Sequence, residues 1–192
     1  YKRQESLNVS SIVKGIAKTF VEMAKSRNIT FLSKIPEQVM WNSDKGFLNT
    51  IIINLISNAF KYTPDGQSIK IEVDTSGENM LTLRVANEGS TIKEKDFQYI
   101  FNRYAILDNF ENQDEKNFSR NGLGLAISYN MAKLLNGTLK VENTPDGWVM
   151  FTLTLPVVEL TTGVAETKRL TAEYIPKIDL SLIHISEPTR PI

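Results

Sequence analysis

Along residues 7–25 the apolar positions Leu7, Ile12, Val13, Ile16, Phe20, Met23 and Ala24 recur at three- and four-residue spacing, which predicts one amphipathic helix. ITFLSKI (29–35) and EQVMW (37–41) read as two short strands around Pro36. Ser43 and Asp44 then supply a cap and a first-turn acid for a second helix, whose buried face is Phe47, Leu48, Ile51, Ile52, Leu55 and Ile56, broken by Thr63, Pro64, Asp65 and Gly66. SIKIEVDT (68–75) and MLTLRVAN (80–87) alternate apolar and polar residues across SGEN, the pattern of a hairpin. Thr91 with Glu94 is a capping-box signature for a short helix ending near Phe101. Residues 102–121 are polar, aperiodic and longer than an ordinary connection, as expected of a functional lid. Gly122 opens a third main helix through Leu134, closed by Asn136 and Gly137. TLKVEN (138–143) and WVMFTLTLP (148–156) form a final hairpin through TPDG. Paired strands among three substantial helices predict an α+β fold, a two-layer sandwich of a mixed, mostly antiparallel sheet with helices on one face.

The 192 residues suit one domain with short appendages. Lys+Arg and Asp+Glu both number 22, so no whole-molecule field draws the chain onto nucleic acid, and any basic site must be local. Cysteine is absent, which excludes disulfides, thiolate metal sites and Cys nucleophiles. No span approaches 18 uninterrupted apolar residues. Histidine occurs once, at His184, inside LSLIHISEPTR (180–190), a stretch that looks like a translated sequencing adapter. Residues 180–192 are therefore set aside as a non-native tail, which nearly eliminates histidine-based metal or acid–base chemistry. Residues 157–179 carry weak periodicity and read as a linker.

NLISNAFKYTPDG (54–66) places Asn54 and Asn58 at i and i+4 on one helical face, with Lys61 a turn further on. Both amides interrupt an apolar helix, where a buried amide without a partner costs roughly 1 to 3 kcal/mol. Two explanations stand: the amides bond neighbouring backbone, or their carbonyl oxygens help hold a hydrated Mg²⁺ while Lys61 neutralises phosphate. RNGLGLAIS (120–128) sets Gly122 and Gly124 before an apolar helix, where glycine admits a ligand to the backbone and a helix N-terminus offers N–H groups to phosphate. A tight turn explains the same pair equally well.

Four motifs in order carry a more specific message. NLISNAFKYTPDG resembles the N box, VANEGSTI (85–92) the first glycine box, IFNRY (100–104) the F box and NGLGLAI (121–127) the second glycine box of the ATP-binding catalytic domain of sensor histidine kinases. That domain has the Bergerat fold shared with gyrase, Hsp90-type chaperones and MutL proteins. The similarity runs from about Leu7 to Pro156 and has the flavour of hybrid two-component sensors of Bacteroidetes.

The resemblance implies a protein-histidine kinase fragment lacking its phosphoacceptor, with residues 1–8 ending a dimerisation helix, 9–156 forming the ATP-binding domain, and the linker leading toward a further module. ATP and Mg²⁺ are the implied cofactors. Asn58 would be the metal ligand assisted by Asn54, Lys61 and Tyr62 would flank phosphates and ribose, and Gly122, Leu123, Gly124 and Leu125 would cradle the triphosphate. Asn87, where the family usually has Asp, would meet the adenine amino group beside Gly89 and Ile92, while Arg103 and Arg120 would reach the phosphates from the lid. Implied partners are a dimerisation or histidine-phosphotransfer domain, and a response regulator or receiver domain. The parent would be a homodimer in the inner membrane with this domain in the cytoplasm; no nucleic acid is implied.

The amide at Asn54 stands where hydrolysing relatives typically carry Glu, and an amide cannot take a proton. It suits transfer to an imidazole, already nucleophilic when neutral, and disfavours a dedicated ATPase. Asn87, Thr91, Arg120, Trp148 and Val149 depart from the family pattern, so the alternative is a pseudokinase-like module gated by nucleotide without phosphotransfer.

Overall fold

The computed structural model describes residues 3–76, 79–89, 91–102 and 115–159, with the backbone alone for 76, 98 and 115–123. Among the described residues, seven strands, four α-helices and a 3-10 helix run in the order β1 (Gln4–Asn8), α1 (Val9–Lys18), α2 (Val21–Ser26), β2 (Thr30–Lys34), β3 (Met40–Asp44), α3 (Lys45–Tyr62), β4 (Ser68–Ser76), β5 (Met80–Glu88), the 3-10 helix (Glu94–Tyr99), α4 (Glu115–Leu134), β6 (Thr138–Asn143) and β7 (Trp148–Pro156). All of them belong to one unit, Tyr1–Val158.

The main sheet has the order β2-β4-β5-β7-β6, with β2 and β4 parallel and every other pair antiparallel. Alternation along the strands separates its faces. Ile69, Ile71, Val73, Leu81, Leu83, Val85, Val149, Phe151, Leu153 and Leu155 are buried with Leu48, Ile51, Ile52, Leu55 and Ile56 of α3. The opposite face carries polar side chains, among them the Arg84–Asp74 ion pair at 2.9 Å and Lys70 over the Trp148 ring at 4.7 Å. This is the predicted α+β sandwich, and both predicted hairpins, β4–β5 and β6–β7, form.

The predicted helix over 7–25 is instead three elements. Leu7 and Asn8 belong to β1, which pairs antiparallel with β3, so residues 4–8 are strand where a dimerisation helix was expected to end. Asn8 caps α1 by accepting from Ser11 N at 3.2 Å. The helix breaks at Thr19 and Phe20, and there the Phe20 ring stacks on Phe60 of α3, centroids 5.2 Å apart. The two strands around Pro36 form, yet do not pair with each other: β2 joins β4, whereas β3, displaced to Met40–Asp44, joins β1.

The expected capping box does not form. The short helix is 3-10, its N-cap is Lys93, and no side chain caps it. The third main helix starts at Glu115 rather than Gly122, because the Glu, Lys and Arg of residues 115–120 are competent helix formers and carry it two turns further back. Within the expected lid, residues 115–121 are helical and 103–114 lie outside the described residues, as do the linker and tail from 160 onward.

Candidate functional site

Asp44 fixes the start of α3: its Oδ1 accepts from Phe47 N at 2.9 Å and its Oδ2 from Arg3 N at 2.6 Å. Arg27 fixes the other end. Its guanidinium donates to the carbonyls of Phe60 and Thr63 and, through Nε at 2.8 Å, to Asp65 Oδ1. Those carbonyls are among the groups a helix C-terminus leaves without partners. Gly66 N returns a bond to Arg27 O at 3.1 Å, so the turn after α3 is held from both sides. The last turn of α3, which carries Lys61 and Tyr62, is thereby set in place.

The two amides on α3 have separate fates. Asn54 Nδ2 donates to Gly124 O at 3.1 Å and to Ser128 Oγ at 3.0 Å, tying α3 to α4. A Cβ on Gly124 would sit 3.4 Å from Asn54 Cγ, in ordinary contact, so this glycine stands directly against the amide. Asn58 is only 6% exposed, and its Oδ1 is buried without a hydrogen-bond partner among the described residues. Burying an acceptor that finds no donor among the described residues costs free energy, so the oxygen is one that a ligand could satisfy.

Lys61 Nζ lies 5.5 Å from the Tyr62 ring centroid. Burial disfavours the ammonium and lowers the Lys61 pKa from the ordinary lysine value; the same cause raises that of Tyr62. Tyr62 remains among the exposed large residues.

At the end of β5, Asn87 is 2% exposed and lies in register with Ile69 and Val149. Gly89 has φ +86, and an added Cβ would come to 3.0 Å from Pro64 Cδ. Only glycine combines that backbone with so close an approach to the turn after α3. Ile92 is held by Asn143, whose Oδ1 accepts from Ile92 N at 3.0 Å and whose Nδ2 donates to Ile92 O at 2.6 Å.

The structure thus joins Asn54 to Gly124, and the Gly89 segment to the turn that follows Lys61 and Tyr62. Leu125 is buried. Gly122 and Leu123 lie within α4 and not at its N-terminus, so the free N–H groups expected of a helix start are absent from that point. Arg103, and the side chains of Arg120 and Leu123, lie outside the described residues. Arg27, Ser128 and Asn143 shape the site without having stood out in the sequence. Their partners are 33 or more positions away, and only the positive φ of Asn28, next to Arg27, marks a turn locally.

A metal ion here would meet amide oxygen. No group of three or more His, Cys, Asp and Glu that could hold a metal occurs among the described residues. The buried Asn58 Oδ1 is a hard oxygen donor of the kind Mg²⁺ accepts, alongside phosphate oxygens and water.

Histidine kinase P4 of Formosa agariphila is 29% identical over 187 residues, which are 96% of this chain and 13% of that protein. Sensor histidine kinase TmoS of Ectopseudomonas mendocina is 31% identical over 157 residues, 82% of this chain and 16% of that protein. The chain therefore spans less than a fifth of these relatives' length. Among solved structures, a nucleotide-free catalytic domain of histidine kinase ThkA superposes with a TM-score of 0.70 at 22% identity, covering 82% of this chain and 99% of that one. The family of histidine kinase-, DNA gyrase B- and HSP90-like ATPases matches residues 43–159. The chain belongs to that family and has the fold of a histidine kinase catalytic domain.

Proposed function

We propose that this domain binds ATP with Mg²⁺ and delivers the γ-phosphoryl group to a histidine on a separate dimerisation domain of a two-component sensor. The observation that carries the reading is Asn58 Oδ1, a buried acceptor on α3 that has no donor among the described residues. Asn58 would hold the metal, with the oxygen of Asn54 beside it, since the Asn54 nitrogen is already committed to α4. The metal supplies neutralisation of phosphate charge.

Lys61 adds a cation whose partial desolvation strengthens its attraction to phosphate, and Tyr62 lies beside it. Gly124 and Leu125 approach from α4, with Gly122 and Leu123 two residues earlier, and Asn87, Gly89 and Ile92 take the base. Arg103 and Arg120 are proposed to meet the phosphates. In the transfer the bond from the γ-phosphorus to its bridging oxygen breaks, a phosphorus–nitrogen bond to the imidazole forms, and ADP leaves. No base is required of Asn54, because a neutral imidazole needs none. Catalysis is positioning and charge neutralisation.

The partners are the dimerisation domain of the parent, a response regulator or receiver domain, and a second parent subunit. No helix among the described residues is long and apolar enough to cross a membrane. The domain is read as the cytoplasmic part of a parent placed in the inner membrane.

The test supplies a dimerisation domain from a matching sensor in trans with labelled ATP. Acid-labile, base-stable phosphohistidine on that domain is expected. ATP binding without any such product would make the domain a nucleotide-gated module in place of a kinase.

A further inference from the structure

We propose that Asn143 is a positioning residue for the nucleotide site, holding the backbone of Ile92 so that the segment after β5 forms a fixed wall; this rests on the nucleotide-binding reading above. Three strands set up the contact. Asn143 of β6 is in register with Val149 of β7, and Val149 with Asn87 of β5, so the three form one row on the sheet. Val149 and Asn87 are buried in that row.

From the end of β5 the chain turns at Gly89 and comes back to this row, where Ile92 meets Asn143. A carboxamide offers one acceptor and one donor group, and here both are used on the backbone of a single residue: Ile92 N–H donates to Oδ1 and Ile92 C=O accepts from Nδ2. The Ile92 side chain is partly buried against the core. The 3-10 helix that follows has no side-chain cap of its own, and the grip on Ile92 fixes the residue just before its N-cap, Lys93. Gly89, packed on Pro64, anchors the near end of the segment and Asn143 the far end.

The test measures magnesium ADP binding by calorimetry for the wild type, Asn143→Ala and Asn143→Asp between about pH 4 and 8, with the Tm of each protein recorded alongside. Asn143→Ala is expected to bind roughly tenfold more weakly, the effect of leaving both backbone groups of Ile92 without their partner. Asn143→Asp is the discriminating variant. As a carboxylate it cannot donate to Ile92 O; as a protonated carboxyl it can, while its carbonyl still accepts from Ile92 N.

The ratio of its Kd to the wild-type Kd should therefore be large at pH 8 and fall toward one as the pH drops to about 4, into the ordinary carboxyl range. The row neighbours Val149 and Asn87 do not ionise. Lys93 and Glu94, next along the segment, are present in both proteins, so the ratio isolates the introduced group. A ratio that does not change with pH, or an Asn143→Ala protein that binds as the wild type does, overturns the proposal while the nucleotide-binding reading survives. A wild type that binds no magnesium ADP overturns that reading and the proposal with it.

Discussion

One helical turn separates Asn54 from Asn58, and the turn divides their work. Asn54 is a brace between helices: Asn54→Ala removes the donor to Gly124 O and Ser128 Oγ and is expected to cost about 1 to 2 kcal/mol, read from chemical denaturation. Lys61 gives a pH signature. Its pKa is lowered by burial in the free protein, and a bound polyphosphate stabilises the ammonium, so binding takes up protons. Affinity for ADP should fall as pH rises through a window that begins below the ordinary lysine value. Tyr62, shifted upward, stays neutral across that window and is not the source. Calorimetry from pH 7 to 10 checks this; Lys61→Met should flatten the profile and bind about tenfold more weakly. The spacing of Asn54, Asn58 and Lys61 was legible because helical period puts them on one face. Which amide the fold would satisfy was not, since Ser128 lies 74 positions from Asn54.

At the scale of elements, α3 and the two hairpins were legible because each repeats its own period over many residues: 18 in α3 and nine in each of β4, β5 and β7. β1 was not, since QESLN carries no alternation and becomes a strand only through β3. The C-terminus of α3 depends on Arg27. Arg27→Ala should cost about 1.5 to 3 kcal/mol, toward the lower figure because the side chain is partly exposed. Arg27→Lys should recover little of it, because an ammonium lacks the planar fork that spans three acceptors. Packing between α4 and the sheet supplies a second test. A Cβ on Gly137 would lie 2.3 Å from Thr154 O and 2.6 Å from Leu155 Cδ2, so Gly137→Ala should destabilise by roughly 1 to 3 kcal/mol, measured as a lowered Tm.

Over the whole molecule, β3 gathers distant parts of the chain. It pairs with β1, Trp41 Nε1 donates to Pro156 O at 3.3 Å, and Asn42 Nδ2 donates to Val158 O at 2.8 Å. The segment leaving β7 is thus fastened beside the one that leads into α1, a closure that no local pattern announces. The ordered motifs nevertheless disclosed the fold, because the N-box helix, the β5 turn and α4 come together around one site. The central claim is that the Asn58 oxygen awaits a cation bound to a nucleotide. Calorimetric titration of the wild type and Asn58→Ala with ATP, with and without Mg²⁺, tests it directly. The wild type should bind ATP more tightly with Mg²⁺ than without, and Asn58→Ala should lose that difference, about tenfold or more in Kd. An Asn58→Ala protein that keeps the full Mg²⁺-dependent affinity would contradict it.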